Sequence, residues 1–174
     1  MRRSGGCSGS RLARGPVVAT ADIPVFGSPE PGATYVLRPG GYAVILDLHG
    51  RLAIVATDEG LHLPGGGQEA SETPEIAAVR EVAEETGLRV ALGETIAVAD
   101  ELVFVKSEGV HYRKRCSFYR ATVVAAGQPT DPGHELIWME TSAAIEGLHH
   151  ECQRWAVRKA LGELRSADVP AREP

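Results

Sequence analysis

Apolar and polar positions along this chain follow two periods, and the switches between them mark its elements. Tyr42–Leu48 and Leu52–Thr57 are apolar, β-prone runs on either side of Asp47-Leu48-His49-Gly50, which is the pattern of a hairpin. Upstream, Thr34–Leu37 is a short strand, and Arg38-Pro39-Gly40-Gly41 after it reads as a turn. Leu61–Leu63 is another short strand, ending at Pro64 and followed by a Gly65-Gly66-Gly67 loop. Arg89–Leu92, Glu94–Val98 and Glu101–Lys106 are strand-like, and Val110–Ala125 is a long strand. Its alternation puts Tyr112, Lys114, Cys116 and Phe118 on one face and His111, Arg113, Arg115 and Ser117 on the other. Gln128–His134 is a loop, and Glu135–Glu140 is the last strand.

Helical spacing appears in three places. Thr141 is a plausible N-cap for a short helix over Ser142–Glu146. His149–Leu164 places Cys152, Trp155, Ala156, Ala160 and Leu164 on one stripe, an amphipathic closing helix. His149 and His150 are neighbours and do not face each other on a helix, which favours solvent or capping roles. The third helix lies between Thr73-Pro74 and Gly87. Thr is a good N-cap, Pro suits the first helical position, and Gly takes the left-handed conformation that ends a helix. Glu81, Glu84 and Glu85 fall within one ~100° arc of it. Ile76, Val79, Val82, Ala83 and Thr86 fall on the opposite side, the expected core face, while Ala77 and Ala78 leave room beside the carboxylates.

Charge sharpens this picture. Residues 66–88 hold six Glu and one Arg, and the chain's formal net charge is −5, so the rest of the molecule is neutral. Like charges at these spacings repel by roughly 0.2–0.5 kcal/mol per pair on an exposed helix. A hard divalent cation, which takes oxygen ligands, relieves that repulsion. A neutral body and a pI near 5.7 exclude bulk binding to nucleic acid or an anionic membrane. Arg38 is placed to reach a phosphate or to remain a surface arginine. The basic run 111–115, with Arg113 and Arg115, suits a polyphosphate or blunts an edge strand. The glycines at 65–67 let backbone groups approach a phosphate or metal closely. Cys7, Cys116 and Cys152 form no CxxC pair and no even disulfide set, so reduced, cytoplasmic thiols are expected, with Cys116 and Cys152 packed as small apolar residues. Trp138 and Trp155 read as core.

Residues 1–22 are rich in Gly, Ser and Arg without apolar periodicity and read as a disordered tail. Arg2-Arg3 is followed by no apolar segment, so export is not expected. No stretch approaches the ~18 apolar residues of a membrane span. Residues 23–165 read as one domain and 166–174 as a polar tail.

Gly66, five residues, Glu72, seven residues, then Arg80-Glu81-Val82-Ala83-Glu84-Glu85-Thr86-Gly87-Leu88 matches the Nudix box at every defined position. Over about residues 33–165 the chain resembles the Nudix hydrolase superfamily. That resemblance implies an α/β (α+β) fold, an α/β/α sandwich with a central mixed sheet. It implies Mg²⁺-dependent hydrolysis of a diphosphate joined to another moiety, with Mn²⁺ as a substitute, and often a homodimer. The implied metal ligands are Glu81, Glu84, Glu85 and the Gly65 backbone. Glu85 is alternatively the base, Arg80 orients the carboxylates, and Glu72 braces the loop. Gly66 belongs to the diphosphate platform. A further acidic residue commonly arrives from a loop before the last strand, and Asp131 and Glu135 are the candidates, with Glu108 behind them. The ADP-ribose mark would place Pro where Val103 and Phe104 stand, and the dinucleoside polyphosphate mark would place Tyr where Val105 and Lys106 stand. By elimination the expectation is a MutT-type enzyme that converts a nucleoside triphosphate, oxidised nucleotides included, to monophosphate and pyrophosphate. An ADP-ribose or nucleotide-sugar pyrophosphatase is the alternative. A non-catalytic ligand-binding module would commonly lose box carboxylates, which this chain keeps. A diphosphate isomerase would need a nucleophilic cysteine, for which Cys116 is the candidate.

Overall fold

A computed structural model describes residues 23–163. The segments expected as tails, 1–22 and 166–174, and Cys7 lie outside the described residues. Eleven elements follow in chain order: β1 (Val25–Phe26), β2 (Tyr35–Ile45), β3 (Leu52–Thr57), β4 (Gly60–His62), β5 (Gly65–Gly67), α1 (Pro74–Thr86), β6 (Leu88–Val105), β7 (Val110–Ala126), β8 (Glu135–Met139), α2 (Thr141–Gly147) and α3 (Glu151–Leu161). They form a five-stranded mixed sheet, order β1-β6-β7-β2-β5, and a three-stranded antiparallel sheet, order β4-β3-β8. In the larger sheet β2 runs parallel to β7, β1 runs parallel to β6, and the other pairs are antiparallel.

Alternation along the central strands builds two cores. Val44, Leu52 and Ile54 point to one side, where they meet Phe118, Ile145 of α2, Leu148 after it, and Cys152, Trp155 and Val157 of α3. Ala43, Ile45 and Ala53 point to the other, where they meet Val82 of α1 and Leu88 and Val90. Adjacent residues facing opposite layers is the period-two geometry of a strand buried on both faces. The result is the α/β/α layering with a mixed sheet that the box implied. Trp155 is core, tilted against Phe26 at 5.7 Å, and Cys116 and Cys152 are both buried. Among the described residues no helix is long and apolar enough to cross a membrane.

Three expectations change. The hairpin of β2 and β3 exists only at its root. Asp47 there accepts backbone N–H groups of His49 and Arg51, and a single bridge joins Leu46 to Leu52, after which the strands part into different sheets. The Arg38–Gly41 segment is not a turn but the middle of β2. A Cβ on Gly40 would lie 2.4 Å from the Gly66 carbonyl oxygen, and one on Gly41 would lie 1.8 Å from that of Pro74. These glycines admit close neighbours rather than a chain reversal. The segments 89–92, 94–98 and 101–106 are one strand, β6, whose register slips against β7 near Gly93 break its apparent pattern.

Candidate active site

The acidic helix α1 starts and stops as its sequence dictates. The Thr73 hydroxyl accepts the Ile76 N–H at 3.4 Å, Pro74 occupies the first turn, and Gly87 closes the helix at φ 71°. Its buried side is only partly the one the apolar pattern suggested, with Val82 and Thr86 buried as expected. Ala77, Ala78, Val82, Glu85 and Thr86 are buried, whereas Ile76 and Val79 are exposed. Ala78 lies where a Cβ on Gly41 would come within 3.1 Å, so the helix rides close on β2 through small residues. Bulky Ile or Val on that line would hold it away. Turning the alanines inward rolls the carboxylate arc partly under the helix. Glu85 becomes buried, Glu81 half-buried, and Glu84 remains outermost.

Arg80 organises the outer part of this arc. Its Nε and Nη2 donate to the two Glu72 oxygens at 2.7 and 2.9 Å, and Nη2 also donates to the Gly67 carbonyl at 3.0 Å. Its Nη1 donates to Glu81 Oε1 at 2.9 Å and Glu84 Oε2 at 3.0 Å. The guanidinium fork holds the Glu72 carboxyl down at about 2, helped by the Glu69 backbone N–H. In return the carboxylates raise Arg80 further above its ordinary value. Each of Glu81 and Glu84 gives one oxygen to Arg80 and keeps the other. The Glu81 carboxyl lies directly over Gly66, where a Cβ would come within 2.6 Å of its carbon. Residues 65–67, expected as a loop, form the short strand β5 against Gly40–Tyr42.

Glu85 sits deepest. Its Oε2 accepts the Gly65 N–H at 3.0 Å. Burial pushes its carboxyl up to about 8. The Gly65 bond opposes this, and the charges of Glu81, Asp131 and Glu84 add to it. The loop 128–134 closes over this end of the helix, because the Thr130 and Asp131 N–H groups both donate to the Glu84 carbonyl, at 2.8 and 3.0 Å. That docking brings His134 Nε2 to 3.5 Å from Glu85 Oε1 and His134 Nδ1 to 3.3 Å from Asp131 Oδ2. His134 Nδ1 is buried and, at the angle it makes, has no hydrogen-bond partner. His134 escaped the sequence reading. Its position between the two acidic candidates was the available signal.

A cavity of about 820 Å³ opens beside these groups. Arg38, Gly65, Gly66, Glu81, Glu85, Glu108 and His134 line it, so several expected site residues converge. Arg38 lies over the Tyr112 ring and 3.8 Å from Glu108. Asp131 reaches the site through His134, whereas exposed Glu135 opens β8 and does not line the cavity.

Arg113 and Arg115 do not line it either. They hold Asp100, which is fully buried: Arg113 Nε bonds one oxygen, and Arg115 Nε bonds the other at 2.9 Å. Burying a carboxylate requires such partners, and β6–β7 register places Asp100 opposite Arg115. The cation of this strand that does line the cavity is Lys114, from the opposite face, together with His62 and His150. Of the basic run 111–115, therefore, Lys114 lines the cavity while Arg113 and Arg115 serve Asp100. His149 is exposed, as expected, and His150 is the N-cap residue of α3, without a side-chain cap bond. Both precede α3, His150 in extended backbone, and their rings stand 5.0 Å apart.

The donor set suits a hard cation. Glu81, Glu85 and the Gly65 backbone line one side of the cavity and offer oxygen donors, while Glu84, on the same arc of α1, does not line it. Among the described residues no three His, Cys, Asp or Glu side chains are already gathered as a complete metal-holding set. A Mg²⁺-type ion takes one or two carboxylates and completes its shell with water and substrate phosphate oxygens, so the α1 carboxylates are the residues that would hold it.

Comparison with known proteins bears on this geometry. The NUDIX domain family model matches residues 36–160, well over half of the chain. The fold is similar to a NUDIX hydrolase from Nitrosomonas europaea, with TM-score 0.62 and 20% identity over 75% of this chain and 92% of that one. It is also similar to a MutT protein from Methanosarcina mazei Go1, with TM-score 0.57 and 19% identity over 78% and 100%. The E. coli dihydroneopterin triphosphate pyrophosphohydrolase gives TM-score 0.57 and 19% identity over 74% and 96%. No curated protein matches the sequence. With a complete box on α1, the sandwich that carries it and a family match across the domain, this chain belongs to the Nudix family and is a Nudix hydrolase.

Proposed function

We propose that this protein is a Mg²⁺-dependent pyrophosphohydrolase whose substrate is a nucleoside triphosphate, converted with water to the monophosphate and pyrophosphate. The observation that carries this is the arrangement around Arg80. One guanidinium ties Glu72, Glu81, Glu84 and the Gly67 carbonyl together, so that carboxylate oxygens are held beside a cavity with basic groups in its lining.

When bound, the cation neutralises charge on the phosphate oxygens and makes water a better nucleophile. Glu81, Glu84 and Glu85 hold it, with the Gly65 backbone beside them. Arg80 fixes the outer two carboxylates by charge-assisted hydrogen bonds. Glu85, the most buried of the three, is the group that takes a proton from the attacking water. Gly66 keeps the floor under Glu81 low, and Arg38 faces the phosphates. Asp131 supports this end of the site through His134. The MutT and dihydroneopterin triphosphate relatives make a triphosphate the first substrate class to try. The isomerase alternative loses its nucleophile, because Cys116 is buried and does not line the cavity.

The test is turnover against nucleoside triphosphates, oxidised dGTP, ADP-ribose and dinucleoside polyphosphates, with Mg²⁺, Mn²⁺ or EDTA. Metal-dependent release of pyrophosphate from a triphosphate is expected. Metal-dependent turnover confined to ADP-ribose overturns the triphosphate assignment, and binding without any turnover overturns the enzyme assignment.

A further inference from the structure

The carboxylates of α1 account for one side of the cavity. Elsewhere the lining carries a basic cluster, His62, Lys114 and His150, alongside the acidic Asp58, Glu59 and Glu108. The rings of His62, His149 and His150 lie within 5.0–5.6 Å of one another, and Lys114 Nζ lies 3.5 Å from His150 Nε2. Three of these four residues, His62, Lys114 and His150, line the cavity.

Glu101, from β6, sets the state of this cluster. Its Oε1 lies 3.1 Å from His150 Nδ1. A carboxylate only accepts, so the proton of that bond sits on Nδ1, and Nε2 is turned toward Lys114. The same carboxylate accepts the N–H groups of Glu151 and Cys152, at 3.3 and 3.0 Å, and so caps the first turn of α3. Burial alone would raise the Glu101 carboxyl, but the bonds from His150 and Cys152 outweigh it and hold it at about 2. Its charge is therefore engaged by the helix and the imidazole and does not neutralise Lys114.

Lys114 differs from the arginines beside it. Arg113 and Arg115 are neutralised by Asp100. Among the described residues Lys114 has no carboxylate within ion-pair distance, and its near partner is an imidazole nitrogen. His62 records the resulting field. Burial and then the charges of His150, His149, Lys114 and His134 hold its imidazole down at about 4. A site that suppresses a proton in this way is one that an anion relieves.

We propose that Lys114, with His150 and His62 beside it, forms a subsite for a phosphate lying beyond the scissile diphosphate. This inference rests on the pyrophosphohydrolase assignment above and narrows it. The ligand is the terminal phosphate of a polyphosphate chain, and substrates that end in a neutral sugar leave the subsite unfilled. An ammonium with free donors suits a phosphate as a compact point charge.

Two measurements test it on the full chain. In the first, ATP and ADP-ribose are compared in wild type, Lys114→Met and Lys114→Arg. The expected result is a rise in KM for ATP of about tenfold or more in Lys114→Met, partial rescue in Lys114→Arg, and an ADP-ribose KM within about twofold of wild type. A Lys114→Met variant that affects both substrates equally, or neither, overturns the subsite. Lys114→Gln replaces any variant that fails to fold by circular dichroism.

The second measurement needs no turnover and so separates this inference from the enzyme assignment. Inorganic tripolyphosphate and pyrophosphate are titrated with Mg²⁺ while the imidazole NMR signals of His62 and His150 are followed. Shifts with tripolyphosphate that exceed those with pyrophosphate, and that vanish in Lys114→Met, sustain the subsite even if no nucleotide is hydrolysed. Equal shifts with both anions, or none, overturn it even if nucleotides are hydrolysed.

Discussion

Arg80 meets Glu72 through two parallel hydrogen bonds, Nε to Oε1 at 2.7 Å and Nη2 to Oε2 at 2.9 Å. The pair fixes the plane of the guanidinium, and that plane decides where the remaining N–H groups point. Lysine keeps the charge but has no fork. Arg80→Lys should therefore lower activity by about 10- to 100-fold, the range typical of groups that orient metal ligands. Isothermal titration with Mn²⁺ should show weaker metal binding in the same variant. Wild-type affinity in Arg80→Lys would refute the orienting role.

Glu85→Gln separates chemistry from stability. Activity should fall by about a thousandfold or more, on the scale of a lost general base combined with a lost ligand. Stability should move the other way. The Glu85 carboxyl titrates at about 8 in the fold, above its ordinary 4.5. A raised pKa means that the folded state prefers the proton, so the stability it contributes is fully present below 4.5 and is lost as pH rises through about 8. Metal-free wild type should lose Tm between pH 6 and pH 8 relative to Glu85→Gln, as read by differential scanning fluorimetry in EDTA. Parallel profiles would contradict the burial argument.

Arg115→Met tests the reassignment of the β7 arginines. Asp100 is fully buried and would keep only Arg113. Removing one partner of a buried ion pair costs about 3–5 kcal/mol. Urea unfolding should report a loss of that order, while KM for the best nucleotide stays at the wild-type value. A raised KM without loss of stability would return Arg115 to the substrate.

Gly41→Ala places a methyl group 1.8 Å from the Pro74 carbonyl oxygen, a backbone atom that cannot step aside alone. The helix must move off the sheet, at a cost of about 3 kcal/mol or more. Because Glu81, Glu84 and Glu85 move with the helix, activity at low temperature should fall as well. Denaturant melts and initial rates measure the two effects together.

The box, its helix ends and the long strand β7 were legible because each is a local pattern. The Thr73, Pro74 and Gly87 signals act within a few residues of themselves. Legibility failed where the decisive neighbour is distant in the chain. Pro39-Gly40-Gly41 looks like a turn until β5 and α1 are seen pressing on those glycines. Ile76 and Val79 have the right spacing for a core face, but the contact with β2 selects the alanines. Alternation gave the two faces of β7 without saying which one meets a cavity, and buried Asp100, thirteen residues before Arg113, made that choice. His134 reaches Glu85 only because its loop hangs from the Glu84 carbonyl.

The parallel pairing of β2 with β7 also governs when this molecule can fold. Tyr35 pairs with His111 and Ile45 with Ala121, so each of these contacts closes a long stretch of chain. High contact order of this kind slows folding. During synthesis the acidic helix leaves the ribosome before β7 exists, and its docking strand β2 then still lacks its longest partner. The box must wait as an unanchored, strongly acidic segment until the second half of the chain arrives. Any truncation before β7 is complete should therefore yield an unfolded polypeptide that still carries every residue of the motif.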